Sequence, residues 1–252
     1  MEGYNPLSLR GKTILITGAA GGIGSAVARV CVLLGARVVL TDIREDALQT
    51  ALASLPESES GESHLCFTAD LTDAEQLASL VEFCPPLDGF VCNAGVMKLT
   101  LTQFITEEEL TRIQRINLNA PILLTRTLLK KKKIVKGGSI VFTASAAGVY
   151  RVSPGNGIYA TTKCGIDAFM RTVALEFGPK GIRCNSVNPG MVETALIGSF
   201  TEEQREKEKQ NYPLRRFAQP EDVANGIVFL LSDASAFVTG TALKIDGGMT
   251  LG

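Results

Sequence analysis

Residues 12–34, KTILITGAAGGIGSAVARVCVLL, contain a short apolar run, a glycine cluster and a segment of helical periodicity, in that order. The apolar run has the length of a buried strand, and Ile23 begins apolar spacing typical of a helix. Glycines allow a tight turn and close approach to an anion, while a helix start offers unpaired N–H groups. The G-x-x-x-G-x-G spacing of Gly18, Gly22 and Gly24 therefore predicts a phosphate site. An ordinary glycine-rich turn between a strand and a helix is the alternative.

A carboxylate after the next apolar run favours the phosphate-site interpretation. Residues 37–41 (RVVLT) predict a second strand, and Asp42 follows it, 18 residues after Gly24. A carboxylate at this place can bind the ribose 2′-hydroxyl of NAD. The same charge repels the 2′-phosphate of NADP. We therefore expect NAD as the cofactor and NADP as the poorer one, with Arg44 as the residue that could turn towards a phosphate.

Composition excludes several classes of function. A net charge of −1 gives no electrostatic reason to expect nucleic acid or an anionic membrane as a partner. No apolar run is long enough to span a bilayer, and the N-terminal residues do not resemble a signal peptide. The six cysteines lack C-x-x-C spacing and suit the free thiols of a cytoplasmic protein. With His64 as the single histidine, we expect no metal site and no histidine-based triad.

Seven apolar runs of strand length alternate with amphipathic segments, which predicts an α/β protein with a doubly wound parallel sheet. A chain of 252 residues without a linker is expected to form one domain, 1–252. Helix starts are predicted where Thr is followed three residues later by Glu or Gln, and where Pro precedes acids. The predicted strands are 13–17, 37–41, 64–68, 88–92, 138–143, 182–187 and 241–245, and the predicted helix starts are Thr72, Thr106, Thr201 and Pro220.

Small and polar residues follow the third and fourth predicted strands. Asp70-Leu71 could meet an adenine ring, or Asp70 could cap the helix predicted over 72–83, and these two roles are compatible. Asn93-Ala94-Gly95 forms another small-residue turn. Because ligands of open α/β sheets bind at the carboxyl ends of the strands, we expect these residues to converge on one crevice.

The candidate chemistry follows the fifth strand. Ser145 lies at its carboxyl end, and Tyr159 and Lys163 lie four residues apart in a helix-length segment. Four-residue spacing places two side chains on one helical face, and an ammonium beside a phenol favours the phenolate. A tyrosine, a lysine and a serine hydroxyl beside a nicotinamide suffice for carbonyl/alcohol redox chemistry. The pair alone is weak evidence, since tyrosine and lysine often share a solvated helix face.

Taken together, these motifs resemble those of the classical short-chain dehydrogenases/reductases over nearly the whole chain. The motifs are TGAAGGIG (17–24), Asp42, Asp70-Leu71, NAG (93–95), Asn117, Ser145, YATTK (159–163), NPGMVET (188–194), PLRRFAQPEDVA (213–224) and DGG (246–248). The resemblance implies a Rossmann fold whose seven strands have the order 3-2-1-4-5-6-7, with helices on both faces. It also implies NAD(P)-dependent oxidation or reduction of a secondary alcohol or ketone.

The same resemblance implies the roles of individual residues. Tyr159 would be the proton donor and acceptor, Lys163 would support it and hold the nicotinamide ribose, and Ser145 would polarise the substrate oxygen. Asn117 would support a proton relay, and Thr194 would contact the nicotinamide carboxamide. The further cofactor-binding residues carried over are Gly18, Gly22, Ile23, Gly24, Asp42, Asp70, Leu71, Asn93, Ala94, Gly95, Pro189, Gly190 and Val192.

The substrate is not determined by these motifs. Residues 96–105, 149–158 and 191–212 are expected to line its pocket, and 191–212 is expected to form a lid whose charged helix 201–211 could equally be a plain surface helix. An NADPH-dependent 3-oxoacyl-carrier-protein reductase is one alternative, and a catalytically idle NAD-binding regulator is another. The helices of 106–130 and 158–178 carry apolar residues on more than one face, and the resemblance makes them the interface of a homotetramer.

A proline within a predicted helix gives a local expectation about Asn117. Pro121 has no N–H for the carbonyl of residue 117, and its ring displaces that carbonyl. We therefore expect a kink, with the Asn117 carbonyl oxygen free to face Lys163 through one water. A kink that merely fits the helix to its neighbours is the alternative.

Overall fold

The computed structural model describes residues 4–57, 61–194 and 201–251. In these residues seven parallel strands form one sheet in the order β3-β2-β1-β4-β5-β6-β7, which confirms the predicted fold class and strand order. The strands are β1 (Thr13–Thr17), β2 (Arg37–Asp42), β3 (Leu65–Thr68), β4 (Leu87–Cys92), β5 (Ile134–Thr143), β6 (Arg183–Pro189) and β7 (Ala242–Ile245).

Helices cover both faces of this sheet. Neighbouring residues of a strand point to opposite faces, yet Ile14, Leu15 and Ile16 of β1 are all fully buried. Ile14 and Ile16 pack in a core with α1, α2 and α9, whereas Leu15 packs in a second core with α3, α5 and α7. The helices are α1 (Gly22–Leu33), α2 (Glu45–Ala53), α3 (Ala74–Phe83), α4 (Glu107–Gln114), α5 (Ala120–Lys130), the irregular turn α6 (Ala146–Val149), α7 (Gly157–Phe177), α8 (Glu202–Lys209) and α9 (Pro220–Leu231).

The predicted helix starts have mixed outcomes. The Thr201 capping box of α8 is confirmed, since its hydroxyl and the Gln204 side chain bind each other's backbone N–H groups. Thr106 caps α4, but no reciprocal bond from Glu109 forms. The prediction of Thr72 as the cap of α3 is wrong. Asp73 has the extended backbone of a cap and accepts two N–H groups of the first turn, while the hydroxyl of Thr72 donates to the preceding turn.

The segment predicted as one kinked helix, 106–130, is two α-helices joined by a π-helical turn, Arg115–Asn119. In this turn the N–H of Ala120 donates to the carbonyl of Arg115, five residues back. Pro121 directly follows this turn, in the first turn of α5, so the break in regular α-helical bonding falls where the proline has no N–H to donate. The helix is therefore irregular beside the proline, as the sequence predicts, and the irregularity is a π-helical turn.

Within the described ranges, no helix is long and apolar enough to cross a membrane. Part of the predicted substrate wall and lid, residues 195–200, lies outside those ranges.

Candidate active site

The glycine turn after β1 approaches its neighbours so closely that side chains would not fit. A Cβ on Gly24 would lie 2.1 Å from the carbonyl oxygen of Gly18. Gly18 itself has a φ of +63°, and a Cβ there would lie 2.8 Å from the Cα of Ala94. The N-terminus of α1 has no side-chain cap and no acid in its first turn. Its unpaired N–H groups and positive dipole end thus suit a phosphate, with Ile23 in the first turn.

Asp42 ends β2 beside this turn and is buried, with 8% of its surface exposed. One carboxylate oxygen accepts the N–H of Ala20 at 3.1 Å. The other accepts the N–H and the Nε of Arg44, at 3.1 and 3.2 Å. Asp42 therefore connects the glycine turn to the end of β2, and Arg44 already lies beside it.

The turn after β4 is fastened to the end of β1. The hydroxyl of Thr17 accepts the N–H groups of Asn93 and Ala94, at 3.0 and 3.1 Å. The Asn93 amide donates to the carbonyls of Thr17 and Gly18. The structure thereby brings Asn93, Ala94 and the glycine turn together, and Thr17 has a part in the site that the sequence reasoning did not anticipate.

Asp70 forms the turn before α3. Its Oδ1 accepts both the N–H and the hydroxyl of Thr72, each at 2.8 Å. The expected role of Asp70 as the cap of α3 is therefore wrong, because Asp73 caps that helix and Asp70 only stabilises the turn before it. Leu71 is half-buried against the second core. Both residues follow β3, at the same sheet edge as Asp42, since Thr68 pairs with that residue.

Ser145 follows β5 and is almost fully buried. Its backbone is extended, and its Oγ accepts the N–H of Ala147 at 3.1 Å. Because the hydroxyl oxygen is the acceptor in this bond, its hydrogen remains available for another acceptor.

Tyr159 and Lys163 lie in the first two turns of α7, and their four-residue spacing places them on one face of the helix. The Lys163 ammonium lies 5.6 Å from the centre of the Tyr159 ring. The Lys163 side chain is buried and donates to the carbonyl oxygen of Thr143, the last residue of β5, at 2.7 Å. One of its three N–H donors is thereby fixed, and two remain. The phenol is only half-buried.

Asn117, in the π-helical turn, lies next to this lysine. A Cβ on Gly95 would lie 3.3 Å from Asn117 Oδ1 and 3.6 Å from Lys163 Nζ, so the three residues adjoin. The Asn117 amide binds both the N–H and the carbonyl of Val96, at 2.9 and 2.8 Å. The side chain is therefore occupied in holding the segment after β4. The N–H of Ala120 donates to the carbonyl of Arg115, so it does not occupy the carbonyl of Asn117.

The segment after β6 closes over the glycine turn. A Cβ on Gly22 would lie 2.8 Å from Thr194 Cγ2, which places Thr194 directly against that turn. Gly190, which follows Pro189, donates its N–H to Ile245 of β7, and Val192 bridges to Ala218. Residues 189–194 consequently follow a fixed path from β6 to the start of α1.

Polar contacts join the segments expected to line the substrate pocket. Glu109 of α4 accepts the Lys98 ammonium at 2.8 Å and the Thr100 hydroxyl at 2.9 Å. The bond from Lys98 holds the pKa of the Glu109 carboxyl below its ordinary value. The N–H of Thr100 donates to the carbonyl of Gly155, shortly before Tyr159. The segments 96–105 and 149–158 are therefore fixed to each other.

A buried tyrosine at the end of the predicted lid, 191–212, binds the residue at its beginning. Tyr212 is 1% exposed, and its hydroxyl accepts the N–H of Met191 at 3.0 Å. Burial raises the pKa of Tyr212 to about 12. This tyrosine and a buried trio formed by Asp167, Ser186 and Asn188 were not anticipated. Only Asp167 left a signal, as a charged residue within the apolar stripe of α7.

The residues present fit a nicotinamide dinucleotide. The uncapped start of α1 suits the pyrophosphate, the carboxylate of Asp42 suits a ribose diol, and the free donors of Lys163 suit the second ribose. For metals, no group of three or more His, Cys, Asp or Glu side chains is arranged to hold an ion among the residues that the structure describes.

Comparison with known proteins agrees with this geometry. A family profile described as enoyl-(acyl carrier protein) reductase matches residues 18–250. The 3-oxoacyl-[acyl-carrier-protein] reductase of Rickettsia felis is 34% identical over 245 residues, which are 97% of this chain and 99% of that protein. A short-chain dehydrogenase/reductase structure from Brucella melitensis, named as glucose/ribitol dehydrogenase, superposes with a TM-score of 0.90 at 30% identity and covers 95% of this chain and 97% of its own. A candidate NAD(P)-dependent gluconate 5-dehydrogenase from Beutenbergia cavernae, with NADP bound, has a TM-score of 0.89 at 29% identity and covers 98% and 100%.

The chain therefore belongs to the short-chain dehydrogenase/reductase family. It is an NAD(P)-dependent oxidoreductase that acts on alcohol or keto groups.

Proposed function

We propose that this enzyme interconverts a secondary alcohol and a ketone with Tyr159 as the general acid and base. The observation that carries the proposal is the fixed position of the Lys163 ammonium, 5.6 Å from the Tyr159 ring centre and bonded to Thr143 at the carboxyl edge of the sheet. The nicotinamide supplies or accepts the hydride when it is bound. In the direction of reduction, the Tyr159 hydroxyl gives its proton to the substrate oxygen.

Ser145 and Lys163 support this proton transfer. The Ser145 hydroxyl, with one lone pair held by Ala147, donates to the substrate oxygen and orients it. The Lys163 ammonium stabilises the phenolate that remains after the transfer, and its free donors hold the nicotinamide ribose. The phenolate then recovers a proton from solvent, through a water held between Lys163 and the carbonyl of Asn117.

We further propose that NAD(H) is preferred to NADP(H). The N–H of Ala20 holds the Asp42 carboxylate at the end of β2. In this position the carboxylate would accept hydrogen bonds from a ribose diol and repel a 2′-phosphate. Arg44 opposes this preference for NAD(H), since its guanidinium is exposed and could pair with a 2′-phosphate once Asp42 is displaced. Asp70, Leu71 and the residues of 189–194 would complete the cofactor site.

The working form in this proposal is a cytoplasmic homotetramer of single-domain chains. Two observations support it: all six cysteines are free, and apolar side chains line part of a groove between α5 and α7. Residues 191–212 would act as the lid, since Arg205 of α8 pairs with Glu193 at 3.1 Å. The partner is a small alcohol or ketone.

A 3-oxoacyl thioester is the second candidate substrate, because the curated relative from Rickettsia felis is named for that activity and matches along its whole length. A panel containing a 3-oxoacyl thioester, gluconate, ribitol and a simple secondary alcohol, assayed at the nicotinamide absorbance with both cofactors, would separate the candidates.

The proton-transfer role is tested with Tyr159→Phe, which removes only the hydroxyl. With the best substrate of the panel, kcat should fall by about 10²–10⁴-fold, because no histidine is placed to replace the phenol. Tyr4→Phe, a change of the same kind in an exposed residue, should leave kcat unchanged. Wild-type turnover by Tyr159→Phe would refute the mechanism.

A further inference from the structure

Asp167 is a buried carboxylate that the proposed mechanism does not use. It lies on α7, four residues after Lys163 and eight after Tyr159, and 3% of its surface is exposed. In the described part of the chain no lysine, arginine or histidine forms an ion pair with it. Burying a carboxylate is costly unless hydrogen bonds compensate it, so its partners indicate its purpose.

Those partners come from β6. The Ser186 hydroxyl donates to Asp167 Oδ1 at 2.5 Å, and the Asn188 amide donates to Oδ2 at 3.0 Å. Both residues are fully buried. Each oxygen of the carboxylate thus receives one hydrogen bond, and such bonds stabilise a buried charge that has no cation beside it.

The second hydrogen of the Asn188 amide extends this trio to the site. It donates to the main-chain carbonyl oxygen of Ser145 at 3.0 Å. Asn188 also directly precedes Pro189 and Gly190, which begin the segment that closes over the glycine turn. The carboxylate therefore joins three segments: the helix of Tyr159 and Lys163, the backbone of Ser145, and the start of residues 189–194.

We propose that Asp167 is a positioning residue, which fixes Ser145 and Asn188 relative to the Tyr159 helix through the trio of Asp167, Ser186 and Asn188. The inference rests on the catalytic roles proposed above. Asp167 touches neither substrate nor cofactor, and it acts by holding the Ser145 hydroxyl at the distance that Tyr159 requires. A displacement of about 1 Å at a reacting group can cost on the order of 10²-fold in rate.

The test separates positioning from core stability. Asp167→Ala removes both acceptors, and Ser186→Ala removes one donor. Asp167→Asn is the conservative variant, because its amide oxygen can accept from Asn188. Its amide N–H can donate to the oxygen of the Ser186 hydroxyl. That hydroxyl can in turn donate to Asn188 Oδ1, which lies 3.2 Å away. Ser139→Ala is the matched control, since Ser139 is an equally buried serine on β5 whose hydroxyl bonds Leu230, away from the site.

We expect kcat to fall by about 10–100-fold in Asp167→Ala and about 3–10-fold in Ser186→Ala, and to return to within about 5-fold of wild type in Asp167→Asn. The Kd of the reduced cofactor, measured by fluorescence, should change by less than about 3-fold, because the trio does not contact the glycine turn or Asp42. Ser139→Ala should lower thermal stability as Ser186→Ala does and leave kcat unchanged.

Equal kcat values for Ser186→Ala, Asp167→Ala and Ser139→Ala would overturn the inference, as would an Asp167→Asn variant as slow as Asp167→Ala. If Asp167→Ala does not fold, Ser186→Ala and Asp167→Asn decide the question.

Amide hydrogen exchange provides a readout that needs no substrate. Residues 144–148 of Ser186→Ala should exchange faster than in wild type and Ser139→Ala, and unchanged exchange there would also overturn the inference. Turnover by Tyr159→Phe refutes only the proposed catalytic roles, and the exchange measurement then still tests the trio.

Discussion

Arg183 shows how one half-buried side chain can complete a helix. Its guanidinium donates to the carbonyls of Leu230 and Ser232 at the C-terminus of α9, at 2.8 and 3.1 Å, and to the Ser235 hydroxyl at 2.9 Å. The last carbonyls of a helix lack partners and carry the negative end of its dipole, so a cation is favourable there. Burial lowers the pKa of Arg183, and the nearby Asp233 opposes that shift.

Arg183→Met should therefore lower the free energy of unfolding by about 1.5–3 kcal/mol, because the carbonyls of Leu230 and Ser232 would lose their charged donor and keep only serine hydroxyls as side-chain donors. Urea denaturation measures this. The control is Arg29→Met, which breaks an exposed ion pair between Arg29 and Glu221 and should cost less than about 1 kcal/mol. Equal losses in both variants would show that the α9 terminus finds other partners.

Asp42 carries the prediction about the cofactor. Wild type should show the higher kcat/KM with NADH, and Asp42→Asn should lower the NADH/NADPH ratio by about 10-fold or more, since a like-charge contact with a 2′-phosphate is removed. The amide can still accept from Ala20, so the glycine turn should remain in place. Adding Arg44→Ala should reverse part of the gain with NADPH. Equal or better efficiency of wild type with NADPH would contradict the role given to Asp42.

At the scale of elements, the sequence was most informative where burial decides the structure. All seven strands were predicted within a few residues, because continuous apolar runs between helices admit few arrangements. β5 was placed at 138–143, yet it begins at Ile134, which pairs with Leu87 before a shift in register. The cap of α3 was missed because Thr72 and Asp73 are both good caps, and backbone conformation chose between them.

The buried trio was beyond sequence reasoning for a different reason. Asp167, Ser186 and Asn188 meet Ser145 only because α7 packs against the ends of β5 and β6. Their hydrogen bonds depend on side-chain directions in the packed structure, which no local spacing specifies. By contrast, the contact between Tyr159 and Lys163 follows from helical spacing alone.

The π-helical turn yields a prediction about an element. In Pro121→Ala the new N–H can bond the carbonyl of Asn117, which favours a regular α-helix and occupies the oxygen assigned to the proton relay. We expect kcat to fall by about 3–10-fold with the cofactor Kd unchanged, since one step of proton return is impaired. Pro179→Ala, at the start of another helical turn, is the control and should leave kcat unaffected. Unchanged kcat in Pro121→Ala would show that the turn serves packing alone.

At the scale of the whole molecule, α5 and α7 carry apolar side chains that packing against the sheet leaves uncovered. A groove of about 920 Å³ runs between them, with Ile122, Phe169 and Phe177 among its lining residues. Leu123 of α5 and Leu175 of α7 are exposed by 48% and 80%. Apolar surface of this kind on two adjacent helices is typical of an interface between subunits.

We therefore predict that sedimentation velocity at micromolar concentration gives a single species of about 107 kDa, four times the 26.8 kDa chain. Ile122→Lys should shift the species to a smaller one, because an ammonium in the interface loses its hydration and meets the like charges of Arg126 and Lys130, which line the same groove. Leu33→Lys is the matched control and should leave the mass unchanged, since Leu33 is an exposed leucine at the end of α1. A monomer boundary for wild type, or equal dissociation of both variants, would rule out assembly through α5 and α7.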